Sequence, residues 1–161
     1  MIDLRATGVL RAIGHDPTLV AHPEPLSLEI GEGDVETEVR VRFRTGGIEV
    51  PGDLSALERI QMLDNLRSKE VLDAKRFPII EFRGRYAGSS GAGVLRGDLI
   101  LLGLAKPIEM EVRVETLAST RRATGTWEGN LKQLGIRPFS ALFGALKLED
   151  WIRLRLEAVF Q

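Results

Sequence analysis

The chain has 161 residues, 43% hydrophobic, 28% charged and 6% aromatic, with no cysteine. Its 22 basic and 23 acidic side chains leave a formal net charge of −1, and only two histidines are present. This fits one globular domain, 1–161, with a sizeable core. It excludes a disulfide framework, a zinc–thiolate site and thiol catalysis. It also excludes a global attraction to nucleic acid or to an acidic membrane surface.

The longest strongly apolar run, Leu99 to Ala105, is far short of the ~20 residues of a membrane-spanning helix. No membrane insertion is expected. Met1-Ile2-Asp3-Leu4-Arg5 carries charges where a signal peptide needs an apolar run. The expected location is therefore the cytoplasm, or the periplasm if a leader has been trimmed.

Two-residue alternation dominates, as expected of strands with one wet face. Leu4, Ala6, Gly8, Leu10 and Ala12 share the first face, and Leu26, Leu28 and Ile30 the second. From Val35 to Thr45 the pattern is almost unbroken, with Val39, Val41 and Phe43 set against Arg40, Arg42 and Arg44. The period then breaks. Ser55-Ala56-Leu57-Glu58 is a capping box, in which serine and glutamate each satisfy a free backbone N–H. Leu57, Ile60, Leu63 and Leu66 extend it into a helix over 54–66, with another turn near Lys69 to Asp73. Phe77-Pro78 ends it.

Alternation resumes with Ile80, Phe82, Gly84 and Tyr86, then crosses a flexible loop, Gly88 to Gly93. Leu95, Gly97, Leu99 and Leu101 follow, then a tighter turn from Gly103 to Pro107. Pro107 lacks an N–H and suits the first residue of the next strand. That strand carries Ile108, Met110, Val112 and Val114. A weaker strand covers 120–131, with Ala123, Gly125 and Trp127 on one face. A short helical or irregular stretch is expected over 138–143. The last strand carries Leu146, Leu148, Ile152, Leu154, Leu156 and Ala158. Parity turns Asp150 inward, where an unpaired carboxylate is costly, so a bulge or a partner at the mouth is expected.

These eight candidates predict an all-β fold, an eight-stranded antiparallel barrel with one inserted helix. Closure would remove the edges of a flat sheet. A two-sheet sandwich is the alternative. The inward faces carry small residues, among them Ala6, Gly8, Ala12, Gly84, Gly97, Ala123 and Gly125, and the chain has few aromatics. Either the interior is hollow, or the glycines mark bulges and close strand contacts. The candidate lining is Phe43, Phe82, Tyr86, Leu99, Leu101, Met110, Val112, Trp127, Phe139 and Leu154. Such a wall favours an elongated apolar ligand. His15 is the candidate partner for a head group.

Four segments resemble the YceI-like family. They are Ile13-Gly14-His15-Asp16; Val71-Leu72-Asp73-Ala74-Lys75-Arg76-Phe77-Pro78-Ile79-Ile80-Glu81-Phe82; Leu95 to Gly103 followed by Lys106-Pro107-Ile108; and Leu134-Gly135-Ile136-Arg137-Pro138 with Gly144 to Asp150. They fall in the expected order over nearly the whole chain. The resemblance implies a lipocalin-like barrel that binds a long apolar chain, polyisoprenoid or fatty-acid-like. It also implies members that are often secreted or periplasmic, and a homodimer.

Other chemistry is thin. His15, Asp16 and His22 lack a defined third and fourth ligand, so no metal is expected. No serine sits in a nucleophile motif, and no phosphate loop is present. The Arg40, Arg42, Arg44 stripe continues into Glu36 and Glu38 without interleaved aromatics, a solvated face rather than a nucleic-acid surface. The expectation is non-enzymatic sequestration of a long-chain apolar or amphiphilic molecule without a cofactor, the helix serving as lid or portal. Two alternatives stand: a filled-barrel interaction module acting as a dimer, and a small-molecule enzyme using His15, Asp150 and Tyr86.

Overall fold

The computed structural model describes residues 1–7, 16–24, 27–29, 37–52, 54–89, 91–117, 119–138, 140–141 and 146–160. Its strands are β1 (Ile2–Thr7), β2 (Thr18–Leu19), β3 (Ser27–Glu29), β4 (Thr37–Arg44), β5 (Ile79–Ser89), β6 (Ala92–Leu101), β7 (Leu104–Leu117), β8 (Thr120–Gly129), β9 (Ser140–Ala141) and β10 (Leu146–Phe160). One helix, α1 (Ala56–Arg67), is inserted between β4 and β5.

The ladder order is β2-β1-β10-β8-β7-β6-β5-β4-β3, with β9 also on β10. Every ladder among the described strands is antiparallel. β2 and β3 are short strands at the two ends of this order, β9 is a two-residue partner of β10, and eight strands curl into a half-barrel. Residues 18–24 join its two edges. Thr18 and Leu19 pair with β1. Val20 bridges Glu49, and Pro23 bridges Phe43 of β4. The Glu24 N–H donates to the Arg42 carbonyl at 2.8 Å. The antiparallel barrel with one inserted helix is the architecture that the alternation predicts.

The inserted helix is capped as its sequence dictates. Ser55 Oγ accepts from the Glu58 N–H at 3.3 Å, and Glu58 Oε2 accepts from the Ser55 N–H at 2.9 Å. Its buried face differs from the expected one. Met62 and Leu66 are buried and Leu63 packs beside them, whereas Leu57 and Ile60 are 65% and 56% exposed. Steps of three residues fall short of a turn by about 60° each, at 3.6 residues per turn. From Leu57 to Leu66 the lag reaches about half a circle, so the two leucines face opposite sides.

Two turns depart from expectation. Leu102 and Gly103 carry φ values of 53° and 74°, and Leu101 pairs with Leu104. This is a two-residue hairpin with both central residues left-handed. Pro107 therefore lies within β7, opposite Asp98, rather than opening the strand. It is tolerated because the described ladder between β7 and β8 begins only at Val112 and Gly125, so β7 has a neighbour on one side there. The irregular stretch expected over 138–143 is described only at 138 and 140–141, where Ser140–Ala141 form β9. A 3₁₀ turn lies before it at Leu131–Leu134, with both leucines buried.

Several small inward residues have a specific purpose. Gly84 and Gly97 face each other, and a Cβ on Gly97 would lie 2.2 Å from the Arg83 carbonyl oxygen. The Phe82 ring comes within 2.7 Å of where a Gly84 Cβ would be, Tyr86 within 2.5 Å for Gly88, and Trp127 within 2.3 Å for Gly129. Each ring folds over the glycine two residues on along the same face. These glycines admit close strand contact and overlying rings. They do not leave vacant space. Gly97→Ala is expected to lower stability by roughly 1–3 kcal/mol through overpacking. Gly46→Ala, with open space around the added methyl group, is expected to be nearly neutral. Urea unfolding checks both, and equal midpoints would contradict the close-contact account.

Candidate functional site

The strand alternation makes a concave apolar wall, and the insert between β4 and β5 plugs part of it. Ile48, Val50, Met62, Leu66, Val71 and Leu72 from the insert join Leu131, Leu134 and Ile136 in a cluster with Leu101 and Ile108. Thr45, 1% exposed, is satisfied there by donating its hydroxyl to the Phe77 carbonyl at 2.7 Å. Other inward residues are incompletely covered. Val39, Val41, Ile80, Tyr86, Leu99, Val114, Trp127, Leu154 and Leu156 pack against the same core yet stay half-buried. That uncovered part of the wall is the candidate site. Each Å² of apolar surface a ligand removes from water stabilises by about 25 cal/mol.

Among the sequence candidates, Phe82, Leu101, Met110 and Val112 are buried in the core. Phe43, Tyr86, Leu99, Trp127 and Leu154 are half-buried. Register brings several together: Phe82 opposite Leu99, Tyr86 and Met110 flanking Leu95, and Trp127 opposite Leu154. His15 and Phe139 lie outside the described residues. The Tyr86 hydroxyl is enclosed and has no hydrogen-bond partner among the described residues. An enclosed hydroxyl without a partner costs about 1–3 kcal/mol, so it favours any ligand atom that can pair with it.

Asp150 does not enter the barrel. Leu4 pairs with Ile152 and Ala6 with Leu148, so β10 carries two extra residues between these points. Leu148 and Ile152 on either side stay buried, while Asp150 between them turns to the 3₁₀ turn. It accepts from the Lys132 N–H at 3.1 Å and pairs with Lys132 Nζ at 3.2 Å. These contacts, the backbone hydrogen bond first, hold its carboxyl below the usual range.

Two features escape a reading based on apolar periodicity. Lys106 shares the inward parity of Ile108 and Met110, opposite Leu99. The alternation itself carried that signal. The second is a groove of about 460 Å³ where β7 and β8 part, lined by Ala105, Lys106, Pro107, Trp127, Glu128, Gln133 and Leu134. Local sequence contains no signal for it, because it arises from where a ladder stops.

The outer face is held by ion pairs. Glu81, 11% exposed at its side chain, lies between Arg40 and Arg83. Arg42 and Arg44 reach Glu24, Arg85 reaches Glu38, and Arg96 reaches Glu109. The arginine stripe is thus engaged by carboxylates. Among the described residues no group of three or more His, Cys, Asp or Glu could hold a metal ion. No helix among them is long and apolar enough to cross a membrane.

A sequence model of the YceI-like domain matches residues 26–160. No curated protein matches the chain. Among solved structures, the Campylobacter jejuni YceI protein superposes with a TM-score of 0.70 at 14% identity, covering 89% of this chain and 83% of its own. Burkholderia cenocepacia BcnA superposes with a TM-score of 0.68 at 14% identity, covering 99% and 96%. At these identities the likeness shows the fold.

The Glu81 carboxyl is held below its ordinary value, chiefly by the hydrogen bond from Arg83 and also by Arg40, against the opposing effect of burial. A depressed carboxyl contributes stability that is full above about pH 4.5, the ordinary value, and is lost as pH falls through the folded one. The stability gap between wild type and Glu81→Gln is therefore expected to be widest at neutral pH and to close on acidification. Urea midpoints at neutral pH and at about pH 3 check this. A gap that grows in acid would contradict the assignment.

Proposed function

The chain belongs to the YceI-like family, and from that premise we propose that it binds and sequesters an elongated apolar or amphiphilic molecule, isoprenoid or fatty-acid-like, against the inner wall without transforming it. The observation that carries this is the row of inward apolar side chains left half-buried, Val39, Val41, Leu99, Val114, Trp127, Leu154 and Leu156 among them. A charged, ion-paired exterior and an apolar interior suit a carrier that keeps a water-insoluble chain in solution. Tyr86 supplies one enclosed polar atom for orientation, and His15 is a second partner by sequence.

Catalysis is disfavoured by the placement of the remaining candidates. Asp150 is engaged by Lys132 outside the barrel, and the Tyr86 hydroxyl has no hydrogen-bond partner among the described residues. A second reading, a filled-barrel interaction module, draws on the rings folded over Gly84, Gly88 and Gly129 and on the exposed Leu57 and Ile60.

Organic extraction of purified protein followed by mass spectrometry separates the two. We expect a co-purifying single-chain lipid. We also expect the unfolding temperature to rise with added lipid, as a ligand selective for the native state stabilises by about 2.7 kcal/mol at a hundredfold excess over Kd. Protein that is consistently empty and shows no shift with long-chain lipids would favour the filled barrel.

A further inference from the structure

We propose, building on the interior lipid site, that the gap between β7 and β8 holds the anionic head group, carboxylate or phosphate, of a single-chain amphiphile, with Lys106 as its direct partner. The gap follows from register. β7 and β8 are paired from Leu117 and Thr120 to Val112 and Gly125. Beyond that point β7 stays with β6 and β8 stays with β10. Pro107, on the parted stretch of β7, has no N–H with which to zip it closed.

Lys106 is placed for a ligand rather than for a structural ion pair. It lies on the inward face opposite Leu99, half-buried, within the groove. Its Nζ approaches to 3.9 Å of where a Gly135 Cβ would be. The carboxylates around the groove are engaged elsewhere: Glu128 with Arg153 at 2.8 Å, Asp150 with Lys132 at 3.2 Å, and Glu109 with Arg96 at 2.8 Å. Among the described residues none pairs with Lys106. A half-buried ammonium without a counter-charge favours an anion that brings charge-assisted hydrogen bonds.

Trp127 is shared by the groove and the wall. Trp127 lines the groove and packs against the core, opposite Leu154. A tail entering past Trp127 would follow the half-buried Leu154 and Leu156 of β10, because Leu95, Ile108 and Met110 on the β6 and β7 side are buried. The head group would sit at the gap, with the chain along the uncovered wall.

The test is calorimetric titration of the full chain with dodecanoic acid, dodecyl phosphate and dodecanol. Wild type, Lys106→Gln and Lys106→Arg are compared. At least one anion is expected to bind wild type about tenfold or more tighter than the alcohol, the size of one charge-assisted contact. Lys106→Gln should erase that preference by weakening the anions, while Lys106→Arg should keep it. Whichever anion is preferred assigns the head group. Equal binding of acid, phosphate and alcohol by wild type, or a preference that survives Lys106→Gln, would overturn the head-group site while leaving the interior site intact. Failure of all three chains to bind wild type would overturn the interior site itself.

Discussion

Successive side chains of a strand point to opposite faces, so an alternating sequence must hide one face from water. This chain does so by curling the sheet and turning the apolar parity inward, while Glu38, Arg40, Arg42 and Arg44 stay outside. The curl brings together β1 and β4, which are far apart in the ladder order. Residues 18–24 make that join through pairings with β1, Glu49 and Phe43. Without it, the start of β1 and the Arg42–Phe43 end of β4 would present unpaired backbone groups to solvent. The concave wall follows from the curl.

Closure and coverage are separate matters. The helical insert and the 3₁₀ turn at Leu131–Leu134 fill part of the concavity, placing Leu66, Leu101, Leu131 and Leu134 at 5% exposure or less. The remaining wall keeps its hydrophobicity without being fully covered, which is unfavourable for an empty protein and favourable for a ligand-bound one. The outer ion pairs contribute little individually, since most join exposed side chains. Glu81 is the exception in burial, and it is held by two arginines.

Much of this was legible in the sequence, because period-two alternation and the Ser55–Glu58 capping box are local signals with local causes. The strand assignments, the inward parity of Phe82, Leu99 and Met110, and the start of the helix all rest on them. What was not legible depends on distant partners or on accumulated geometry. Leu57 and Ile60 match a helical spacing locally yet drift away from the buried face. Pro107 sits inside a strand because another strand has left its side. Asp150 turns to Lys132 of the 3₁₀ turn, a partner that local parity does not show. The inward glycines were ambiguous because composition cannot tell a cavity from a site where Phe82, Tyr86 or Trp127 lies across the backbone.

The central claim is that the uncovered inner wall is a surface on which a lipid chain lies. Trp127 sits on that wall, whereas Trp151 is stacked under Arg5 at 4.0 Å. With two tryptophans in the chain, Trp151→Phe leaves Trp127 as the sole indole emitter. Titrating that variant with a fatty acid brominated along its chain, and with its unbrominated counterpart, reads contact directly. We expect saturable loss of Trp127 emission with the brominated chain alone. Emission that the brominated chain leaves unchanged would contradict the account.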